Sequence, residues 1–174
     1  MHTFLVSADI EASAKCLDRL RLGKQRVESH QIIKILEELE RINPIEKKMK
    51  SWEERIEWRE EAIRRSKKKI AWVRHPAVLL WVGYLDGLKY YYNCHLKEWA
   101  NRGYRNVILQ SYELPGIINL PAWTQNRDFL ENHRGALLKK ELERNEKPWY
   151  VKRLFDVPEF LGYIWQPKIN KLII

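Results

Sequence analysis

Cysteine is nearly absent. Cys16 and Cys94 are the only two in 174 residues, far apart and at no metal or redox spacing. That excludes a disulfide scaffold and fits reduced thiols inside a cell. Glycine and proline number seven each, too few for a low-complexity chain, and the one punctuated stretch runs from Leu114-Pro115-Gly116 to Leu120-Pro121. Long hydrophobic runs are missing too. The longest uncharged one, Pro76 to Tyr84, falls far short of the roughly 20 residues that span a bilayer. The stretch from Met1 to Asp9 lacks a basic region followed by an apolar one, so no signal peptide is expected. No two of the five histidines stand four residues apart, which removes the helical zinc motifs. A phosphate loop, a dinucleotide fingerprint and a nucleophile elbow are likewise missing. The expectation is an intracellular protein, neither secreted nor membrane-bound, with no metal, no nucleotide cofactor and no other cofactor.

The chain does have apolar residues (45%) and eight tryptophans, enough for a folded core. One domain spanning 1–174 is expected. Lys and Arg outnumber Asp and Glu by 32 to 23, a formal charge of +9. Such an excess favours a polyanionic partner through steering and counterion release.

The periodicity is helical throughout, so the fold class is all-α: a compact helical bundle around one long central helix, with long loops. A first helix begins near Ser13 and carries Lys15, Arg19 and Arg21, with Gly23 as its break. A second runs from about Lys24 to Arg41 on a stripe of Ile32, Ile35, Leu36 and Leu39. Residues 46 to 70 alternate in charge over a thin stripe of Trp52, Ile56, Ile63 and Ile70. They read as an exposed helix, or a helical hairpin arm, tied by i,i+4 pairs, within a charged helical insertion at about 43–70. The cationic end, Arg64 to Lys69, fits a solvated helix end or a phosphate-contacting patch equally well. The clearest helix covers Pro76 to Arg102, where Val78, Val82, Leu85, Leu88, Tyr92, Leu96 and Trp99 hold the period and Gly103 follows the end. Its tyrosines read as packing rather than as base-stacking groups. A last helix runs from about Asn126 to Arg144, its apolar face interrupted by His133-Arg134.

One carboxylate is out of place. Glu28 lies four residues before Ile32 and seven before Ile35, on the apolar face of its helix. Arg19, Arg21, Lys24 and Arg26 crowd the same segment, a density suited to a phosphate backbone. A half-buried carboxylate there can do acid–base work or stabilise a cationic intermediate. The alternative is a structural pair with a neighbouring Arg or Lys.

Five blocks stand in order along the chain: Leu22-Gly23-Lys24-Gln25-Arg26-Val27-Glu28, His75-Pro76-Ala77-Val78 with Trp81 and Tyr84, Arg102-Gly103-Tyr104, His133-Arg134-Gly135-Ala136-Leu137-Leu138, and Tyr163-Ile164-Trp165. Together they resemble the pyrimidine-dimer DNA glycosylase family of the phage endonuclease V type, nearer to its cellular branch than to the phage enzyme. Pro148-Trp149-Tyr150 is similar to the aromatic–cationic tail of the phage enzyme. The resemblance implies an all-helical enzyme of damaged duplex DNA; a monomer is expected. Its nucleophile would be the α-amine of the first residue, and a glutamate would stabilise the imine and assist strand cleavage at the abasic site. Carried onto this chain, the catalytic set is Met1, His2 and Glu28. Position 2 is a large residue, so Met1 is expected to be retained. In the phage pattern an arginine directly precedes the glutamate; here Val27 separates Arg26 from Glu28. The implied DNA contacts are Arg19, Arg21, Lys24, Gln25, Arg26, His30, His75, His133, Arg134, Trp149, Tyr150 and Lys152. Two other readings remain: a nucleic-acid binder on the same fold, non-catalytic or differently catalytic, and a protein-interaction module built on the charged insertion.

Overall fold

The computed structural model describes residues 2–46, 49 and 51–143 and is all-α. Six helices are present among the described residues: α1 (Ile10–Lys15), α2 (Arg19–Ile42), α3 (Trp52–Arg65), α4 (Pro76–Trp81), α5 (Leu85–Asn101) and α6 (Arg127–Leu142). A single 3-10 turn, Ala122–Gln125, precedes α6. None of these helices is long and apolar enough to cross a membrane.

The first helix boundary differs from the sequence expectation. α1 starts after Asp9, whose carboxylate accepts from the amides of Glu11 and Ala12. Asp18 caps α2 by accepting from the Arg21 amide, so the break falls at 16–18 and not at Gly23. A carboxylate at the N-cap satisfies an otherwise orphaned amide, and two such caps outweigh the modest cost of glycine inside a helix. Gly23 serves close approach instead. The Trp99 indole lies across α2 there, and an added Cβ would stand 3.0 Å from its Cζ3.

The expected stripe of Ile32, Ile35, Leu36 and Leu39 is buried along α2 and meets Leu88, Tyr91, Tyr92 and Leu96 of α5. The single long helix expected over 76–102 is two helices. Gly83 adopts φ +79, and the Tyr84 amide closes a turn onto the Trp81 carbonyl at 2.9 Å. Both halves keep the helical period, so periodicity alone does not reveal the turn. Burial does: Ala77 through Trp81 are all interior, and α4 lies inside the protein while α5 keeps a solvent face. The central long element is therefore α2, paired with α5.

The charged segment forms α3, opened by a capping box between Ser51 and Glu54. Trp52, Ile56 and Ile63 pack half-buried on the core, and Glu61 pairs with Arg64 and Arg65. α6 begins at Asn126, which caps the Phe129 amide.

Residues 2–8 are not helical. They run irregularly through the interior, with Thr3, Leu5 and Val6 fully buried. No strand among the described residues pairs with them, yet buried backbone groups require partners. Side chains provide these. The Phe4 amide donates to Gln25 Oε1 at 2.8 Å, and the Val6 amide donates to Ser13 Oγ at 2.9 Å. The Tyr91 hydroxyl stands 2.8 Å from the Phe4 carbonyl and 2.7 Å from Gln25 Oε1. Arg134 Nε donates to the Val6 carbonyl at 2.7 Å, and Trp81 Nε1 to Thr3 Oγ1 at 2.9 Å. Replacing Gln25 by Leu keeps the volume but leaves the Phe4 N–H unsatisfied. Chemical denaturation of Gln25→Leu is expected to show a loss of about 1–3 kcal/mol. A change within the error of the measurement would contradict this account of the buried segment.

Candidate active site

Two polar side chains one turn apart on α2 meet the buried segment. Gln25 and Glu28, spaced three residues, share a face of the helix. His2 and Phe4 are spaced two residues on an extended run, so their amides face the same side. Gln25 takes the Phe4 amide, and Glu28 Oε2 takes the His2 amide at 2.9 Å. A carboxylate placed on the apolar face of its helix is thereby held one residue away from Met1.

Three imidazoles surround this contact. His2 stacks on Phe4 with ring centroids 4.4 Å apart and meets His133 edge-on at 4.7 Å. His133 is interior, its Nδ1 3.0 Å from the Leu5 amide. Burial drives its pKa down to about 3, against a smaller opposing effect of the Leu5 hydrogen bond. Burial likewise lowers His2 well below the usual histidine range, reinforced by His133 and Lys140. His75 caps α4, its Nδ1 accepting from the Ala77 amide. Burial lowers its pKa as well, while the Glu28 carboxylate acts in the opposite direction. Burial disfavours the charged form of all three rings, so they add little positive charge beside Glu28 and take up a proton reluctantly.

On the outer side, Glu28 borders an open groove of about 610 Å3 shared with Arg19, Lys24, Arg26, Gln31 and Trp99. Among the described residues no Lys or Arg forms an ion pair with Glu28. Arg26 stacks its guanidinium 4.0 Å over the Trp99 ring and donates from Nη1 to Asn106 Oδ1 at 3.1 Å. Arg19 lies 5.2 Å from the Tyr104 ring centre. Val27, between Arg26 and Glu28, is exposed. Two helical steps turn Arg26 roughly 200° from Glu28, and the groove's breadth keeps both on its border.

Several expected DNA contacts are interior residues. Gln25 holds the Phe4 amide. Arg21 is buried against Asp18, with Glu141 at 3.6 Å. His133, on α6, is enclosed against His2, Phe4 and Leu5 of the buried segment. The resemblance implies each as a DNA contact, yet each is buried here. Arg134 is half-buried and clamps the Val6 carbonyl. His30 reaches the Tyr112 hydroxyl at 3.0 Å, on a different side of α2 from Glu28. Arg19 and Lys24 are exposed at the groove. Met1, Trp149, Tyr150 and Lys152 lie outside the described residues.

The sequence reading missed two residues that shape this site. Trp99 was one periodic position of a core helix, yet it carries Arg26; its place at the polar end of α5 was the available signal. Trp72, with φ +61 and an exposed ring, stands 6.2 Å from the His75 ring. Nothing in its local sequence marks it.

The half-buried Glu28 carboxylate thus meets the His2 amide on one side and a groove bordered by Arg19, Lys24 and Arg26 on the other. A family model described as pyrimidine dimer DNA glycosylase matches residues 1–109, a span that includes α1 to α5 and the groove. The chain belongs to the pyrimidine dimer DNA glycosylase family. That membership sets the coarse activity: a DNA repair enzyme whose substrate is DNA. No curated protein and no solved structure matches the chain.

The buried histidines give a pH prediction. His133 and His95 have folded pKa values of about 3 and about 4, both lowered chiefly by burial. In the unfolded chain they titrate near 6.5, so below that pH the unfolded state binds protons that the folded state refuses. Their contribution is intact above pH ~6.5 and declines toward pH ~4, by about 1.4 kcal/mol per pH unit for each histidine. Urea midpoints are expected to drop clearly between pH 7 and pH 5. Equal midpoints at the two pH values would contradict neutral burial of both rings.

Proposed function

We propose that the protein is a DNA glycosylase with coupled abasic-site lyase activity on damaged pyrimidines in duplex DNA, with the α-amine of Met1 as nucleophile and Glu28 as its acid–base partner. The observation that carries this reading is the 2.9 Å hydrogen bond from the His2 amide to Glu28. It brings the carboxylate to the chain start on the border of a cationic groove.

The chemistry follows from these groups. An α-amine titrates near 8 against roughly 10.4 for lysine, so far more of it is unprotonated at neutral pH. Its lone pair attacks C1′ of the damaged nucleotide. The C1′–N bond breaks, and the base leaves with that electron pair and takes up a proton. The nitrogen has then given up one of its two protons; its lone pair forms the C=N bond as the C1′–O4′ bond breaks, O4′ takes up a proton from solvent, and a protonated imine that keeps the second amine proton is left at C1′. Glu28 stabilises this cation at close range in a partly desolvated site. The same carboxylate accepts a C2′ proton, and the electrons displace the 3′ phosphate, which nicks the strand. The imidazoles of His2 and His75, which burial keeps from taking up charge, do not repel the developing cation. Arg19, Lys24 and Arg26 contact the phosphates on either side of the lesion.

Two variants test the assignment. Glu28→Gln is expected to bind a duplex carrying a thymine dimer within about threefold of wild type and to lose nicking by at least two orders of magnitude, the scale of a lost acid–base group. Nicking at the wild-type rate would remove Glu28 from the chemistry. Binding without nicking by the wild-type protein would make the chain a binder on this fold. Arg26→Ala is expected to weaken all duplexes alike and to reduce the slope of log affinity against log salt by about one phosphate contact. An unchanged slope would take Arg26 out of the interface.

A further inference from the structure

We propose that Val107 and Ile108 form an apolar wedge that enters the base stack of duplex DNA beside the groove bordered by Glu28. The inference rests on the glycosylase reading above and adds a residue pair that distinguishes damaged from undamaged duplex.

Val107 is 72% and Ile108 84% exposed, the second the most exposed of the large apolar side chains among the described residues. A lone exposed aliphatic residue has no special meaning. Here the two are adjacent, and both flanks are fastened. On one side the Trp99 indole donates to the Arg105 carbonyl at 3.0 Å, and Arg26 donates to Asn106 Oδ1 at 3.1 Å. Across the tip, Asn106 Nδ2 donates to the Leu109 carbonyl at 2.6 Å. On the other side Leu109 packs on the core, and the Tyr92 hydroxyl donates to the Gln110 carbonyl at 3.0 Å. The tip is thus a short apolar projection on a braced base. Its side chains are β-branched and lose little freedom on insertion.

Charge selects the occupant. The exposed cations Arg19, Lys24 and Arg105 and the half-buried Arg26 belong to the same neighbourhood. A cationic rim around an apolar tip complements phosphates flanking a stack of bases. Apolar side chains placed between base steps unstack them and kink the duplex, at a cost that is least where damage has already weakened the stack. A wedge in this position therefore favours the lesion step and carries the kinked strand toward Glu28.

The test uses the full chain and a duplex with 2-aminopurine next to a thymine dimer. Wild type is expected to raise the fluorescence on binding. The double variant Val107→Ser with Ile108→Ser should lose most of that rise. Its preference for damaged over undamaged duplex should fall at least fivefold, with an unchanged salt slope and an unchanged melting temperature. Ile108→Leu should retain the rise. A double variant that keeps both rise and preference overturns the wedge while leaving the glycosylase reading intact. Absence of any rise or damage preference in wild type overturns both. A wild-type dimer in sedimentation that the double variant dissolves would assign the tip to self-association and overturn the wedge.

Discussion

An irregular, extended run of chain buried among helices must find hydrogen-bond partners where the described residues form no sheet to supply them. That constraint governs residues 2–8. Leaving one buried amide or carbonyl without a partner costs on the order of 1–3 kcal/mol, and a run of them would exceed the stability of a small protein. The interior answers with side chains from several helices: Ser13 from α1, Gln25 from α2, Tyr91 from α5, and His133 with Arg134 from α6. Polar residues that look misplaced on apolar faces are there to hold this segment. The same requirement draws α6 onto the rest of the structure, although α6 lies beyond the span that matches the family model.

Glu28 is the outermost member of that series and the one with a second surface. Its Oε2 meets the His2 amide as Gln25 meets the Phe4 amide, yet its helix face also opens on the groove. The imidazoles around it are kept neutral by burial, so the local field near Glu28 comes from a carboxylate and from cations farther along the groove. Fold and proposed chemistry therefore share a cause: the contacts that bury the chain start also bring a carboxylate beside it.

Much of this was legible in the residues. The stripe of α2, the charged helix α3, the start of α6 and the odd position of Glu28 follow from spacing alone. The limits of that reading are physical too. Gly83 turns the chain while Gly23 does not, and both sit in segments of helical period. The difference lies in which helix is swallowed by the core and in an indole lying across α2, neither of them a local property. Gln25, Arg21 and His133 have the chemistry of surface contacts; the buried segment, remote in sequence, explains the interior positions of Gln25 and His133, and Asp18 with the distant Glu141 explains that of Arg21. Glu28 differs because a carboxylate on an apolar face is anomalous before any tertiary contact is known.

The central claim is that the chain start and Glu28 form one reactive centre. Borohydride trapping of tag-free protein on a duplex with an abasic site, followed by peptide mapping, tests it most directly. The account predicts a covalent adduct on the peptide that begins with Met1. An adduct confined to an internal lysine, or none at all alongside efficient strand cleavage, would contradict it.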